Sequence, residues 1–274
     1  MNLALSLGVP LLAELLALGV ASGFLAGLLG VGGGMLLVPF LTLILSARGV
    51  DPALAVKMAV ATSMATIMFT SLSSLRAHHQ RGAVRWDLAR RLGAGIVIGG
   101  LVGGGGLFAV LKGQGLALMF AAFVGVSAVR MLRESKPKPG RQMPGALGQA
   151  AVGGGIGIVS GLLGAGGAFM SVPFMVRCNV PVRAAVGTSA ALGFPIALAN
   201  VAGYLWAGRD MAPALPGAVG FLYLPALAVM ALASVALAPL GARVAHRIDV
   251  RQLRRLFAVM LLALAGSMLW KVFG

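Results

Sequence analysis

Residues Ser22 to Leu41 read SGFLAGLLGVGGGMLLVPFL, and residues Ile156 to Met175 read IGIVSGLLGAGGAFMSVPFM. Ten of the twenty aligned positions are identical, and both stretches break an apolar run with a glycine turn that leads into Val-Pro-Phe. A second correspondence follows each copy: AVATS at Ala59 to Ser63 and AVGTS at Ala185 to Ser189. Glycines could coincide in so glycine-rich a chain. Two ordered motifs repeating in the same sequence point instead to internal duplication. The repeats cover residues 1–135 and 145–274, joined by a basic, proline-containing linker at 136–144 (KPKPGRQMP) that reads as cytoplasmic.

The rest of the chain says what is duplicated. Of 274 residues, 59% are hydrophobic and only 10% charged, with a mean hydropathy of +0.98. One core cannot absorb that much apolar surface, which excludes a soluble globule and predicts an all-α, multi-pass membrane protein whose first partner is the lipid bilayer. Between the charges lie apolar segments of about one helix each, among them Met58–Leu75, Leu92–Leu111 and Met211–Ala242. Two segments, Val9–Ala47 and Gln142–Val176, exceed a single crossing, and these carry the glycine turns.

Lys and Arg number 22 against 6 Asp and Glu, a formal charge of +16. The basic residues cluster in short loops, so the excess reads as membrane topology rather than nucleic-acid binding. If each long segment is a re-entrant hairpin that enters and leaves by one face, Arg48, Lys57, Lys112, Arg209 and Lys271 fall outside and the other seventeen inside. If each crosses once, the bias vanishes. The positive-inside rule therefore favours hairpins. Each half then has one broken, re-entrant hairpin plus three transmembrane helices, an odd number of crossings, so the halves insert as inverted repeats, a recurrent plan of secondary transporters. Nothing in the sequence sets an oligomeric state.

Candidate binding residues follow from the turns. Non-helical backbone at membrane depth must be satisfied by protein, water or ligand. Glycine can turn successive N–H groups to one side, and a helix starting at the turn presents its positive end, so Gly30, Gly32, Gly33, Gly164, Gly166 and Gly167 are candidate anion ligands that two inverted copies bring together near the midplane. Thr62, Ser63, Thr188 and Ser189 recur beside the turns and are candidate neutral donors; interhelical bonding is the competing role. Gly23/Gly27, Gly157/Gly161 and the cluster Gly99–Gly106 read as packing positions. Glu14, Lys57 and His78 are candidates for coupling or anion attraction, against simple interfacial placement. Three histidines and one cysteine without a carboxylate cluster make no metal site, and no nucleophile–base set, Walker loop or dinucleotide fingerprint is present. The sequence thus predicts neither an enzyme nor a cofactor.

The duplicated G-x-x-x-G-x-x-G-x-G-G-x(5)-P-F pattern with A-V-x-T-S downstream resembles the TauE/SafE sulfite exporter family of membrane transporters. Gly34 becomes Ala168 in the second copy, so that position tolerates alanine. The resemblance implies movement of a small anion, such as sulfite, an organosulfonate or a related sulfur oxyanion, across a bacterial cell inner membrane by alternating access. A passive anion channel and a small-carboxylate transporter are the alternatives.

Overall fold

The computed structural model describes residues 8–29, 33–132, 140–244 and 250–273. In chain order the helices are α1 (Val9–Leu29), α2 (Gly34–Ala47), α3 (Pro52–His79), α4 (Trp86–Val110), α5 (Gly113–Leu132), α6 (Ala146–Leu163), α7 (Ala168–Arg177), α8 (Val182–Ala207), α9 (Leu224–Val244) and α10 (Val250–Phe273). Among the described residues, seven helices are long and apolar enough to cross a membrane: α1, α3, α4, α5, α6, α8 and α9. The fold is that of an all-α, multi-pass membrane protein.

Local chemistry sets several boundaries. Pro52 opens α3 at a position that needs no N–H, and Asp51 caps it by accepting from the Leu54 N–H at 3.0 Å. At its other end α3 runs past Met58–Leu75 to Arg76, whose charge suits a helix C-terminus, and on to His78 and His79. The apolar segment Met211–Ala242 behaves differently from the single helix predicted for it. Helix begins only at Leu224; Pro213, Pro216, Gly217 and Gly220 break the run, and a small antiparallel hairpin, β1 (Ala218–Val219) with β2 (Leu222–Tyr223), fills the gap.

The two halves pack by exchange. The first helix of each half lies on the fourth helix of the other, α1 on α9 and α6 on α4. The α2–α3 and α3–α9 contacts are mirrored by α7–α8 and α8–α4, while α3 meets α8 and α5 meets α10. Small residues permit the closest approaches. Gly95, Gly99 and Gly103 of α4 oppose Ala150, Gly154 and Ile158 of α6, each spaced by four residues, and a methyl on Gly99 would collide with the Gly154 backbone. Gly23 likewise sits against Ser234 of α9. The packing role read for Gly23, Gly157, Gly161 and the Gly99–Gly106 cluster matches the contacts of Gly23, Gly157, Gly161 and Gly99 to Gly105, while Gly106 faces open space.

Each glycine turn joins two antiparallel arms whose outer ends meet. Arg48 at the end of α2 forms an ion pair with Glu14 near the start of α1, Nη2 to Oε2 3.7 Å. Before α6, the N–H groups of Gly140 and Arg141 donate to the Arg177 carbonyl that closes α7, and Asn179 donates its Nδ2 to the Arg141 carbonyl. The first arms, α1 and α6, have 21 and 18 residues; the second arms, α2 and α7, have 14 and 10, about 21 and 15 Å of helix and short of a hydrocarbon core of about 30 Å.

Candidate functional site

The second turn is ordered by two left-handed glycines. Gly164 (φ 64°) ends α6, its N–H donating to the Ser160 carbonyl, and Gly167 (φ 71°) starts α7, its N–H donating to the Ala165 carbonyl. Helical bonding in α7 begins with Met170 and Ser171, both donating to the Gly167 carbonyl, so the N–H groups of Ala168 and Phe169 lie outside the ladder at the helix's positive end. In the first turn Gly33 lies against Ser22 of α1, and Gly30 and Gly32 fall outside the described residues.

The two turns touch. A side chain on Gly34 would strike the Gly164 carbonyl, Ile67 and Ala165, and one on Gly164 would strike Val38 and Val60. Val60 and Ile67 lie in the middle of α3, while Gly167 meets Ile196 in the middle of α8. The tips therefore converge halfway along the two longest helices, which have 28 and 26 residues.

A crevice enclosing about 480 Å³ of empty space, counted out to its open mouth, runs from this junction along α3. Gly33, Gly166 and Ala168 supply its inner end; its surface is mostly apolar, with Leu37 and Ile67 among its walls, and none of its lining residues is charged. Hydroxyls come from Ser22, Thr70, Ser71, Ser74 and Ser189, of which Ser22, Thr70 and Ser71 donate to the Gly19, Thr66 and Met68 carbonyls. All the α3 lining residues fall from Ile67 to Ser74, on the side of the turns where α3 ends in the basic loop. The other end of the molecule is shut by aromatic packing. Phe108 contacts Tyr204 and Phe221 at centroid distances of 4.4 and 5.2 Å, and all three are buried. There burial raises the Tyr223 hydroxyl above its ordinary pKa, opposed by the nearby Arg48 charge, so the phenol stays neutral.

The repeated Thr-Ser pairs divide. Thr62 Oγ1 accepts from the Tyr223 N–H and Thr188 Oγ1 from the Arg85 N–H, both at 3.0 Å. Each threonine thereby pins the loop between the third and fourth helices of the opposite half. The serines turn the other way. Ser189 lines the crevice and shares a hydrogen bond with Ser171 at 2.8 Å. Ser63, fully buried, has no hydrogen-bond partner; it falls on the α3 face that carries Val60 and Ile67 to the two turns. Leaving such a hydroxyl unpaired costs about 1–3 kcal/mol.

The remaining candidates lie away from the crevice. Glu14 is exposed and paired with Arg48. Lys57 donates to the Ala109 carbonyl at 3.3 Å and rests over the rings of Phe108 and Phe221 at 5.4 and 5.3 Å, at the shut end. His78 closes α3, its carbonyl accepting from the Ala83 N–H. Ser22 and Ser160, which flank the turns from α1 and α6, escape a motif-based reading because each faces a non-hydroxyl residue in the other copy, Ile156 and Ala26. What the arrangement offers is neutral: hydroxyls, backbone N–H groups and helix ends, suited to a small anion.

Comparison with known proteins places the chain among membrane transporters. The family model described as Sulfite exporter TauE/SafE matches residues 15–268. The chain is 32% identical to a probable membrane transporter protein of Haemophilus influenzae, covering 93% of this chain and 97% of that one. It is 26% identical to a probable membrane transporter protein of Methanocaldococcus jannaschii, covering 94% of both. No solved structure matches.

Proposed function

Because the chain belongs to the sulfite exporter TauE/SafE family, we propose that it is a secondary transporter of the cell inner membrane that exports small sulfur oxyanions, sulfite or organosulfonates, by alternating access. The observation that carries this reading is the meeting of two glycine turns at an uncharged, largely apolar crevice that carries five hydroxyl side chains, halfway along α3 and α8. Neutral donors hold an anion without trapping it, and the glycines let backbone approach a tetrahedral or pyramidal oxyanion closely. The exchange of contacts between halves, taken with the bias of seventeen basic residues against five, supports an inverted arrangement. In that orientation the crevice faces the cytoplasm. An anion leaving a negative interior gains about 2.3 kcal/mol per charge per 100 mV, so export needs no coupled ion.

A carrier is favoured over a channel because the crevice stops at the turns. Purified protein in proteoliposomes tests the reading. Under an imposed potassium diffusion potential, sulfite or an organosulfonate should leave saturably and in step with the potential, with counterflow and without unitary conductance. Absence of flux for these anions contradicts the substrate class, flux of small carboxylates alone reassigns it, and channel-like conductance contradicts the carrier.

A further inference from the structure

Aligning the two copies of each sequence motif pairs the crevice with a second set of residues. Ser22 and Ala26 correspond to Ile156 and Ser160, Thr70 and Ser74 to Ile196 and Asn200, and Ser189 to Ser63. In the open crevice the first members are lining groups, Ala26 included. Among their mates the structure is closed: Ile156 and Ile196 are buried and press on Gly167, where an added methyl would meet them at 3.1 and 2.5 Å and Ser160 Oγ at 3.2 Å. The other three mates each carry a fully buried polar atom that lacks a hydrogen-bond partner: Ser160 Oγ, Ser63 Oγ and Asn200 Oδ1.

That coincidence has a physical reading. A fold that leaves three buried polar atoms unpaired at the equivalents of a wet crevice bears a desolvation penalty that a second conformation would relieve. Asn200 is already placed for it, since its Nδ2 is spent on the Ile196 carbonyl while Oδ1 lies against Gly161, the neighbour of Ser160. We infer that Ser63, Ser160 and Asn200 line a second half of the anion path, reaching the basic-poor face, and that Ile156 and Ile196 are the apolar gate that shuts it in the present conformation. This rests on the transport reading. In the alternate conformation the two isoleucines leave Gly167, water and the anion reach the three polar side chains, and the Ser22 to Ser74 crevice closes.

Cysteine accessibility separates the outcomes. Cys178 is the one native thiol and is buried, so Cys178→Ala provides a thiol-free background. In it, Ser74→Cys, Ser160→Cys and Asn200→Cys are treated with a membrane-impermeant maleimide applied to right-side-out or inverted vesicles, with organosulfonate flux measured on each variant. Ser74→Cys should react only from the basic-loop face. Ser160→Cys and Asn200→Cys should react only from the opposite face, about ten- to a thousandfold more slowly than an exposed thiol, as a minor state populated at 0.1–10% requires. Should Asn200→Cys fail to insert, Ser63→Cys takes its place. Reaction from the same face as Ser74→Cys, or from neither face in a variant that still transports, overturns the second path and leaves the transport reading intact. Opposite-face labelling without flux of any anion upholds the gated opening at Ile156 and Ile196 but removes the transport reading, and with it the assignment of that opening to an anion path.

Discussion

Threonine and serine stand side by side in both A-V-x-T-S motifs, yet the helix turns them about 100° apart, toward different neighbours. Thr62 and Thr188 hold backbone N–H groups of the opposite half, while Ser63 and Ser189 face the turns and the crevice. The repetition of the pair was legible in sequence; the division of labour was not, because it depends on loops 161 and 103 residues away. Thr62→Val keeps the volume and leaves the buried Tyr223 N–H unpaired, so it should cost about 1–3 kcal/mol, seen as a lower melting temperature in detergent. Ser74→Ala, in the crevice, should instead raise the KM for the transported anion about three- to tenfold, the worth of one hydrogen bond of about 1 kcal/mol, with melting temperature unchanged. Equal effects of both variants on stability would erase the distinction drawn between them.

Among the elements, the shortness of the second arm was readable because the glycine turn and the basic residue Arg177 bound an apolar run of about ten residues, too few to span hydrocarbon. The β1–β2 hairpin was not, since hydropathy alone does not separate a covered apolar loop from a helix. Its prolines and positive-φ glycines carried the signal. Glycine-rich α4 shows the same limit, as composition does not tell which glycines face a neighbour. Gly99→Ala should drive a methyl into the Gly154 backbone and cost about 1–3 kcal/mol of stability, with loss of folded yield. Gly106→Ala, where an added methyl meets nothing within 4 Å, should leave thermal unfolding unchanged or slightly delayed. Size-exclusion profiles and melting curves of the two proteins decide this.

Taken whole, the molecule places the end of α3 and the loop after it, which carry Arg76, Arg81 and Arg85, at one end, its aromatic seal with Lys57 at the other, and an uncharged crevice between. None of the residues lining that crevice titrates near neutrality. Anion affinity should therefore stay flat from about pH 6 to 9 once corrected for the anion's own ionisation, and a sigmoidal change on the protein's account would place a proton-binding group in the site. The membrane class and the short second arms came through in the sequence because they are statements about composition and length. The meeting of Gly34 with Gly164, 130 residues apart, is a tertiary contact that only the folded chain reveals.

That contact and the space beside it are the heart of the account, and anomalous scattering tests them most directly. Crystals grown with selenite, in which selenium replaces the sulfur of sulfite, should show a single strong selenium peak between Gly33, Gly166 and Ser189, within hydrogen-bonding reach of the turn N–H groups and the crevice hydroxyls. A peak elsewhere, with the two turns closed on each other and no selenium beside them in a protein that still moves the anion, would contradict it.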